Sequence, residues 1–267
     1  VTAPPTFAAR LRAAIERTGS LLCVGLDPAG CADAAEAERL CVAVLEASLE
    51  HVCAVKPNVA FFGQHGSAGW AVLERLREHV PSDRMLIVDA KIGDIGSTAE
   101  AYARATFDRL GADAVTVNPL MGEDALRPFL ERPGRGVFVL ARTSNPGAAD
   151  LLDRRLDDGT PVFAHLAALA TGWDPGGAVG LVAGATAPEA IAALRRLAPT
   201  APLLIPGVGA QGGGVEEAVA AGLDAAGGGV VVSVSRGIAA APEGPGTAAR
   251  MWRDRIGAAR EGALAGR

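Results

Sequence analysis

The chain has 267 residues, 49% of them hydrophobic, with 25 Lys plus Arg against 30 Asp plus Glu and a formal charge of -5. Such a length can bury one large core or two small ones, and the acidic balance argues against a partner gripped along a phosphate backbone, so no nucleic acid is expected. No run of about 18 apolar residues occurs, and the N-terminal "VTAPPTFAARLRAAIER" lacks the basic segment and apolar core of a secretory signal, so a cytoplasmic protein with no membrane association is the expectation.

In chain order, a helix is predicted at about 6–18, ahead of the apolar run "LLCVGL" at 21–26. "DAAEAERLCVAVLEASLE" follows, with Asp33 as its cap and Glu36 three residues on, in the capping-box position. Next come "HVCAVK" at 51–56 and the helical "SAGWAVLERLREHV" with Ser67 as cap, then "MLIVDA" at 85–90 and "STAEAYARATFDRL" with Ser97 and Glu100 as the capping pair. The runs "DAVTVN" at 113–118 and "GVFVLA" at 136–141 lead to a long connection, 143–177, expected to hold a loop and a helix. "AVGLVAG" at 178–184, "PLLIPG" at 202–207 and "GVVVSVS" at 229–235 complete the series, with the helical "APEAIAALRRLA" and "GVEEAVAAGL" between them.

These runs are apolar nearly throughout instead of alternating, as strands covered on both faces are. Eight βα units predict a single (β/α)8 barrel domain over residues 1–267, an α/β fold with the additional N-terminal helix plugging or flanking its bottom. A doubly wound sheet is the alternative, but "GLDPAGCAD" after the first run is not the GxGxxG fingerprint. Cys23, Cys31, Cys41 and Cys53 form no close CxxC pair and have no nearby histidines of the kind a zinc site uses, which points to reduced thiols and no metal site.

In such a barrel the chemistry sits at the C-terminal ends of the strands. Polar residues fall there in series: Asp27, Lys56 with Asn58, Asp89 with Lys91, Asn118, Thr143 with Ser144, Gln211 and Arg236. Asp89 and Lys91 are two apart, so on a continuing strand both side chains share a face. A lysine among carboxylates keeps its proton, which makes it a poor nucleophile and a well-placed acid for delivering H⁺ to a carbanion. Asp89 beside a substrate carboxylate would repel it by roughly 4 kcal/mol at about 4 Å and an effective dielectric near 20, and loss of neutral CO₂ would remove that repulsion. A structural ion-pair network is the competing account of the same residues, and helix capping or turn formation competes for Asp27 and Asn118. The glycines of "PGVGAQGGG" at 206–214, Gly207 and Gly209 among them, and "SRG" at 235–237 with Gly237 offer backbone N–H groups beside Arg236, where this architecture commonly holds a phosphate.

The element D-x-K-x-x-D-I-x-x-T within "DAKIGDIGST" (89–98), together with "GLDP" (25–28), "VKPN" (55–58), "ARTSNPG" (141–147), "PGVGAQGG" (206–213) and "SRGI" (235–238), resembles the orotidine 5'-phosphate decarboxylase family, specifically its longer bacterial subgroup. The resemblance spans most of the chain in the right order. It implies a (β/α)8 homodimer that converts orotidine 5'-phosphate to UMP and CO₂ in pyrimidine biosynthesis, with no metal and no organic cofactor. It also implies roles: Asp27 and Lys56 on the ribose hydroxyls, Asp89 against the substrate carboxylate, Lys91 as the donor to C6, and Ser144 on the pyrimidine. Gln211 and Arg236 would hold the phosphate, Asp94 and Thr98 would reach into the neighbouring subunit's site, and Asn118 would bind substrate. The D-x-K-x-x-D pattern also resembles 3-keto-gulonate-phosphate decarboxylases and hexulose-phosphate synthases, which use Mg²⁺; "GVGAQGG" and Ser144 argue against that branch. A non-catalytic nucleotide-binding barrel is the third reading.

Overall fold

The computed structural model describes residues 4–174, 176–209 and 211–266. The chain opens with α1 (Phe7–Thr18) and β1 (Leu22–Leu26), followed by α2 (Ala34–Ser48), β2 (Ala54–Pro57), α3 (Val59–Gly63), α4 (Gly66–Leu76) and β3 (Met85–Ile92). Then come α5 (Gly96–Ala103), β4 (Ala114–Val117), α6 (Glu123–Leu130) and β5 (Gly136–Arg142). The long connection carries α7 (Ala148–Leu151) and α8 (Val162–Gly172) before β6 (Val179–Ala183), α9 (Pro188–Leu197), β7 (Leu203–Pro206), α10 (Val215–Gly222) and β8 (Val230–Val234). A short α11 (Arg236–Ala239) and the long α12 (Pro245–Ala265) close the order.

The strands form a closed parallel barrel in sequence order, β1 to β8, with β8 returning to β1. The (β/α)8 architecture expected from the apolar runs is therefore present, with the additional helix in front of it. Strand residues such as Val24, Val55, Ile87, Val115, Val139, Leu181, Ile205 and Val232 are fully or almost fully buried, which is why the runs show no alternation. Phe7 of α1 meets Phe138 of β5 edge to face at 5.5 Å. A Cβ at Gly136 would lie 2.1 Å from the Phe7 ring, so the absence of a side chain there lets α1 dock. Arg10 of α1 donates to Gly134 O at 2.8 Å and to Asp113 at 2.5 Å, and the buried Asp113 also accepts from Leu86 N–H and from Arg135.

Asp33 caps α2 by accepting from Glu36 N–H, while Glu36 reaches back to Ala32 N–H. Ser67 and Ser97 do not cap: α4 starts at Gly66 after His65 and α5 starts at Gly96 after Ile95. Both entering glycines are left-handed, with φ 62° and 53°, so the chain turns sharply one residue early and leaves each serine inside the first turn, past the capping position. All four cysteines are unpaired thiols. No helix among the described residues is long and apolar enough to cross a membrane.

Candidate active site

A cavity of about 390 Å³ opens at the C-terminal ends of the strands. Its lining includes Asp27, Lys56, Asp89, Lys91, Ser144, Gly207, Gln211, Arg236 and Gly237, so nine of the thirteen residues given a site role from the sequence meet in one place. Thr143, Asn58 and the apolar Leu140, Val182, Leu204, Pro206, Val208 and Val234 complete most of the wall. A polar floor and an apolar flank suit a planar ring carrying charged substituents.

The parallel pairing places the floor. Gly25 of β1 stands beside Lys56 of β2, and Asn58 bridges to Asp89 of β3. Lys56 Nζ donates to Asp89 Oδ2 at 2.7 Å, and Lys91 Nζ donates to Asp89 Oδ1 at 2.5 Å. One carboxylate is thus held between two ammonium groups, one buried and one half exposed to the cavity. Burial pushes the Asp89 carboxyl up, but Lys56 and Lys91 outweigh it and hold it well below the usual carboxylate range. Burial likewise pulls Lys56 down, and Asp89 and then Asp27 reverse this, so its ammonium form is favoured beyond an ordinary lysine. Beneath them Cys23 stays a thiol, its pKa pushed up to about 12 chiefly by burial. Asp89 as carboxylate and Lys56 as ammonium are thus each favoured in the charged form by the other.

Asp27 Oδ2 accepts from Ser235 at 2.5 Å, whereas its Oδ1 is buried with no hydrogen-bond partner among the described residues. Asp27 itself lines the cavity, and its carboxylate keeps acceptor capacity that its own neighbours leave unused. At the far rim, Gly207 has φ 94°, and a Cβ there would lie 2.7 Å from Ser144 Cβ and 2.9 Å from Gln211 Oε1. Arg236 is the first residue of α11, and Trp252 pins the next turn by donating to Gly237 O at 3.1 Å. Three cationic side chains and two carboxylates line the cavity, a balance that favours an anionic ligand.

Four residues named from the sequence do not line it. Gly209 packs over Trp252 and donates to Gly213 O, shaping the loop from behind. Asn118 caps the turn at Leu120 N–H and packs on Gly93, the structural role that competed with binding. Asp94 accepts from its neighbour Ile95 N–H, and Thr98 is exposed on the first turn of α5. Four polar wall residues escaped the sequence reading: Thr116, Asn145, Ser233 and Ser235. Thr116 and Ser235 each hydrogen-bond an aspartate of the site, Asp89 and Asp27, through contacts between distant parts of the chain.

The chain matches the model of the family described as orotidine 5'-phosphate decarboxylase / HUMPS over residues 20–252. A Roseiflexus castenholzii protein named orotidine 5'-phosphate decarboxylase is 49% identical over 267 residues, which cover 95% of this chain and 98% of its own. One of the same name from Verminephrobacter eiseniae is 52% identical over 230 residues, covering 81% of this chain and 83% of its own. The structure of Leishmania donovani OMP decarboxylase superposes with a TM-score of 0.90 at 41% identity, covering 96% of this chain and all (100%) of that one. Leishmania donovani UMP synthase superposes at 0.91 with 44% identity over 96% of this chain, which spans 57% of that longer protein. The barrel, the charged array and these likenesses agree: the chain belongs to the orotidine 5'-phosphate decarboxylase / HUMPS family.

Proposed function

We propose that this chain decarboxylates orotidine 5'-phosphate to UMP and CO₂, the step that yields UMP in pyrimidine biosynthesis, with Lys91 as the proton donor in a metal-free array. The observation that carries the reading is the Lys56–Asp89–Lys91 array on the floor of a cavity whose rim holds Gln211, Gly207 and Arg236. With the phosphate at that rim and the pyrimidine beside Ser144, the substrate carboxylate would meet Asp89. Repulsion between the two carboxylates raises the ground state, and departure of neutral CO₂ relieves it. The C6–carboxylate bond breaks, its electron pair stays on C6, and the Lys91 ammonium transfers one proton there; the amine left behind is reprotonated from solvent. Two fixed ammonium groups favour the negative charge as it develops at C6, without rearrangement during the step. Asp27, with one oxygen unpartnered, is suited to a ribose hydroxyl together with Lys56. Gripping the remote phosphate supplies binding energy that orients the ring over Lys91.

The active form is a cytoplasmic homodimer in this reading. Asp94, on the loop after β3, and Thr98, on the first turn of α5, stand outside their own cavity, and the connections after β3 and β4 expose Ile95, Leu120 and Met121. Each such side chain covered in an interface contributes about 1.5–3 kcal/mol, which suits a face closed by a second copy that receives Asp94 and Thr98.

Following the absorbance of orotidine 5'-phosphate after mixing with metal-stripped protein tests the reading directly. Turnover that survives EDTA is expected. Activity restricted to Mg²⁺-loaded protein acting on hexulose phosphates would place the chain in the other branch of the family.

A further inference from the structure

β3 and β4 lose register where the array is built. Val88 pairs with Val115 and Ile92 with Val117, so three residues of β3, Asp89, Ala90 and Lys91, face one residue of β4, Thr116. Within that bulge Lys91 has φ 51°, and it is the single non-glycine residue with positive φ among those described. Left-handed backbone at such a side chain is strained, and persists where neighbours hold it.

Thr116 is placed to hold it. Its Oγ1 accepts from Ala90 N–H at 3.0 Å and from Lys91 N–H at 2.9 Å, and donates to Asp89 Oδ1 at 3.0 Å. A hydroxyl has one proton and two lone pairs, and here all three are committed to consecutive residues of the bulge. Asp89 Oδ1 is the oxygen that also receives Lys91 Nζ, so one hydroxyl sets both the backbone from which Lys91 projects and the carboxylate its ammonium rests on. Thr116 is 2% exposed and bounds the cavity floor, which keeps water from competing for those bonds.

We propose that Thr116 is a positioning residue for the decarboxylation: its hydroxyl clamps the β3 bulge so that Asp89 and the left-handed Lys91 present carboxylate and ammonium in the productive arrangement. This rests on the reading of the cavity as the decarboxylase site. Bulges beside active sites commonly re-aim a side chain; here the register shift and the hydroxyl that fills it are both identified. The phosphate end of the cavity lies on β7, β8 and the loops after them, outside the clamp. A loosened clamp should therefore impair the chemical step and spare ligand affinity.

The test compares wild type, Thr116→Val and Thr116→Ser for kcat with orotidine 5'-phosphate and for the equilibrium dissociation constant of UMP. Valine keeps the β-branched shape and removes the hydroxyl, so kcat should fall on the order of 100-fold, the loss that accompanies about 1 Å of misplacement. UMP affinity should stay within about threefold, and serine should restore kcat to within about tenfold of wild type. Thr116→Ala stands in if the valine variant does not fold, with the same expected loss and the same retained affinity. Wild-type kcat in a folded variant without the hydroxyl, a serine variant as impaired as valine, or UMP affinity lost in proportion to kcat would each overturn the inference. A wild-type protein that does not turn over orotidine 5'-phosphate would overturn the decarboxylase reading along with it.

Discussion

Lys91 Nζ rests 2.5 Å from Asp89 Oδ1 while the Lys91 backbone stands at φ 51°, so the array's more accessible cation projects from the one described non-glycine position with left-handed backbone. Outliers of this kind concentrate where geometry is used chemically. The side chain is 49% exposed and fills no core space, so its loss should separate chemistry from folding.

Lys91→Ala is expected to abolish detectable turnover while leaving the thermal transition and UMP affinity close to wild type. Lys91→Gly should be the more stable of the two null variants. Relief of left-handed strain is worth about 1–2 kcal/mol, against about 0.4–1 kcal/mol for the added freedom of the unfolded glycine. Chemical denaturation of both variants checks the order, and normal turnover by either would remove Lys91 from the mechanism.

Asp89 predicts a pH signature. Its carboxyl is held below the unfolded value, so the stability it contributes is present above the unfolded pKa of about 3.9 and is lost as pH falls through the lower folded value. Lys56 is shifted the other way, so its contribution is full below its unfolded pKa of about 10.4 and is lost only as pH rises through the higher folded one. The stability gap between wild type and Asp89→Asn should therefore be flat from about pH 5 to 9 and shrink below about pH 4. At neutral pH the substitution should cost about 3–5 kcal/mol, the range for breaking a buried pair by removing one partner. Urea titrations across that pH range measure both, and a gap that widens toward acid would contradict the assignment.

Arg236→Gln should weaken ligands that carry a phosphate and spare those that do not. A charge-assisted hydrogen bond is worth about 1.5–3 kcal/mol, or roughly 10- to 150-fold in affinity. Calorimetric titration with UMP should show that loss, and uridine should bind wild type and variant alike. An equal loss for both ligands would mean that Arg236 shapes the site and does not contact the phosphate.

The barrel was legible in the sequence because a strand buried on both faces has no alternation to blur it. The predicted run at 202–207 meets β7 at Leu203–Pro206, and the predicted helix at 6–18 meets α1 at Phe7–Thr18. Asp27, Lys56, Asp89, Lys91 and Arg236 were legible because charge at the end of an apolar run needs a use. Asn118 and Gly209 were harder, since an Asn after a strand or a Gly in a loop serves a turn as readily as a ligand. Thr116 and Ser235 were hidden for another reason. Ser235 meets Asp27 across 208 residues, and Thr116 meets Asp89 through a register slip, and neither relation leaves a local pattern.

The placement of Asp94 yields the sharpest test of the dimer. Asp94 lies outside its own cavity; in the proposed dimer a site lacking Lys91 and a site lacking the neighbour's Asp94 would fail through different chains. In a heterodimer of Lys91→Ala and Asp94→Ala, one site loses both groups and the other regains both. Equal mixing with free exchange makes half the dimers hetero, each with one restored site, so about one quarter of wild-type activity should return from two inactive preparations. Dilution should abolish the recovery as the dimers dissociate, because the restored site needs both chains. Mass spectrometry of differentially labelled chains confirms exchange, and an absence of recovery in exchanged samples would show that Asp94 does not act across the interface.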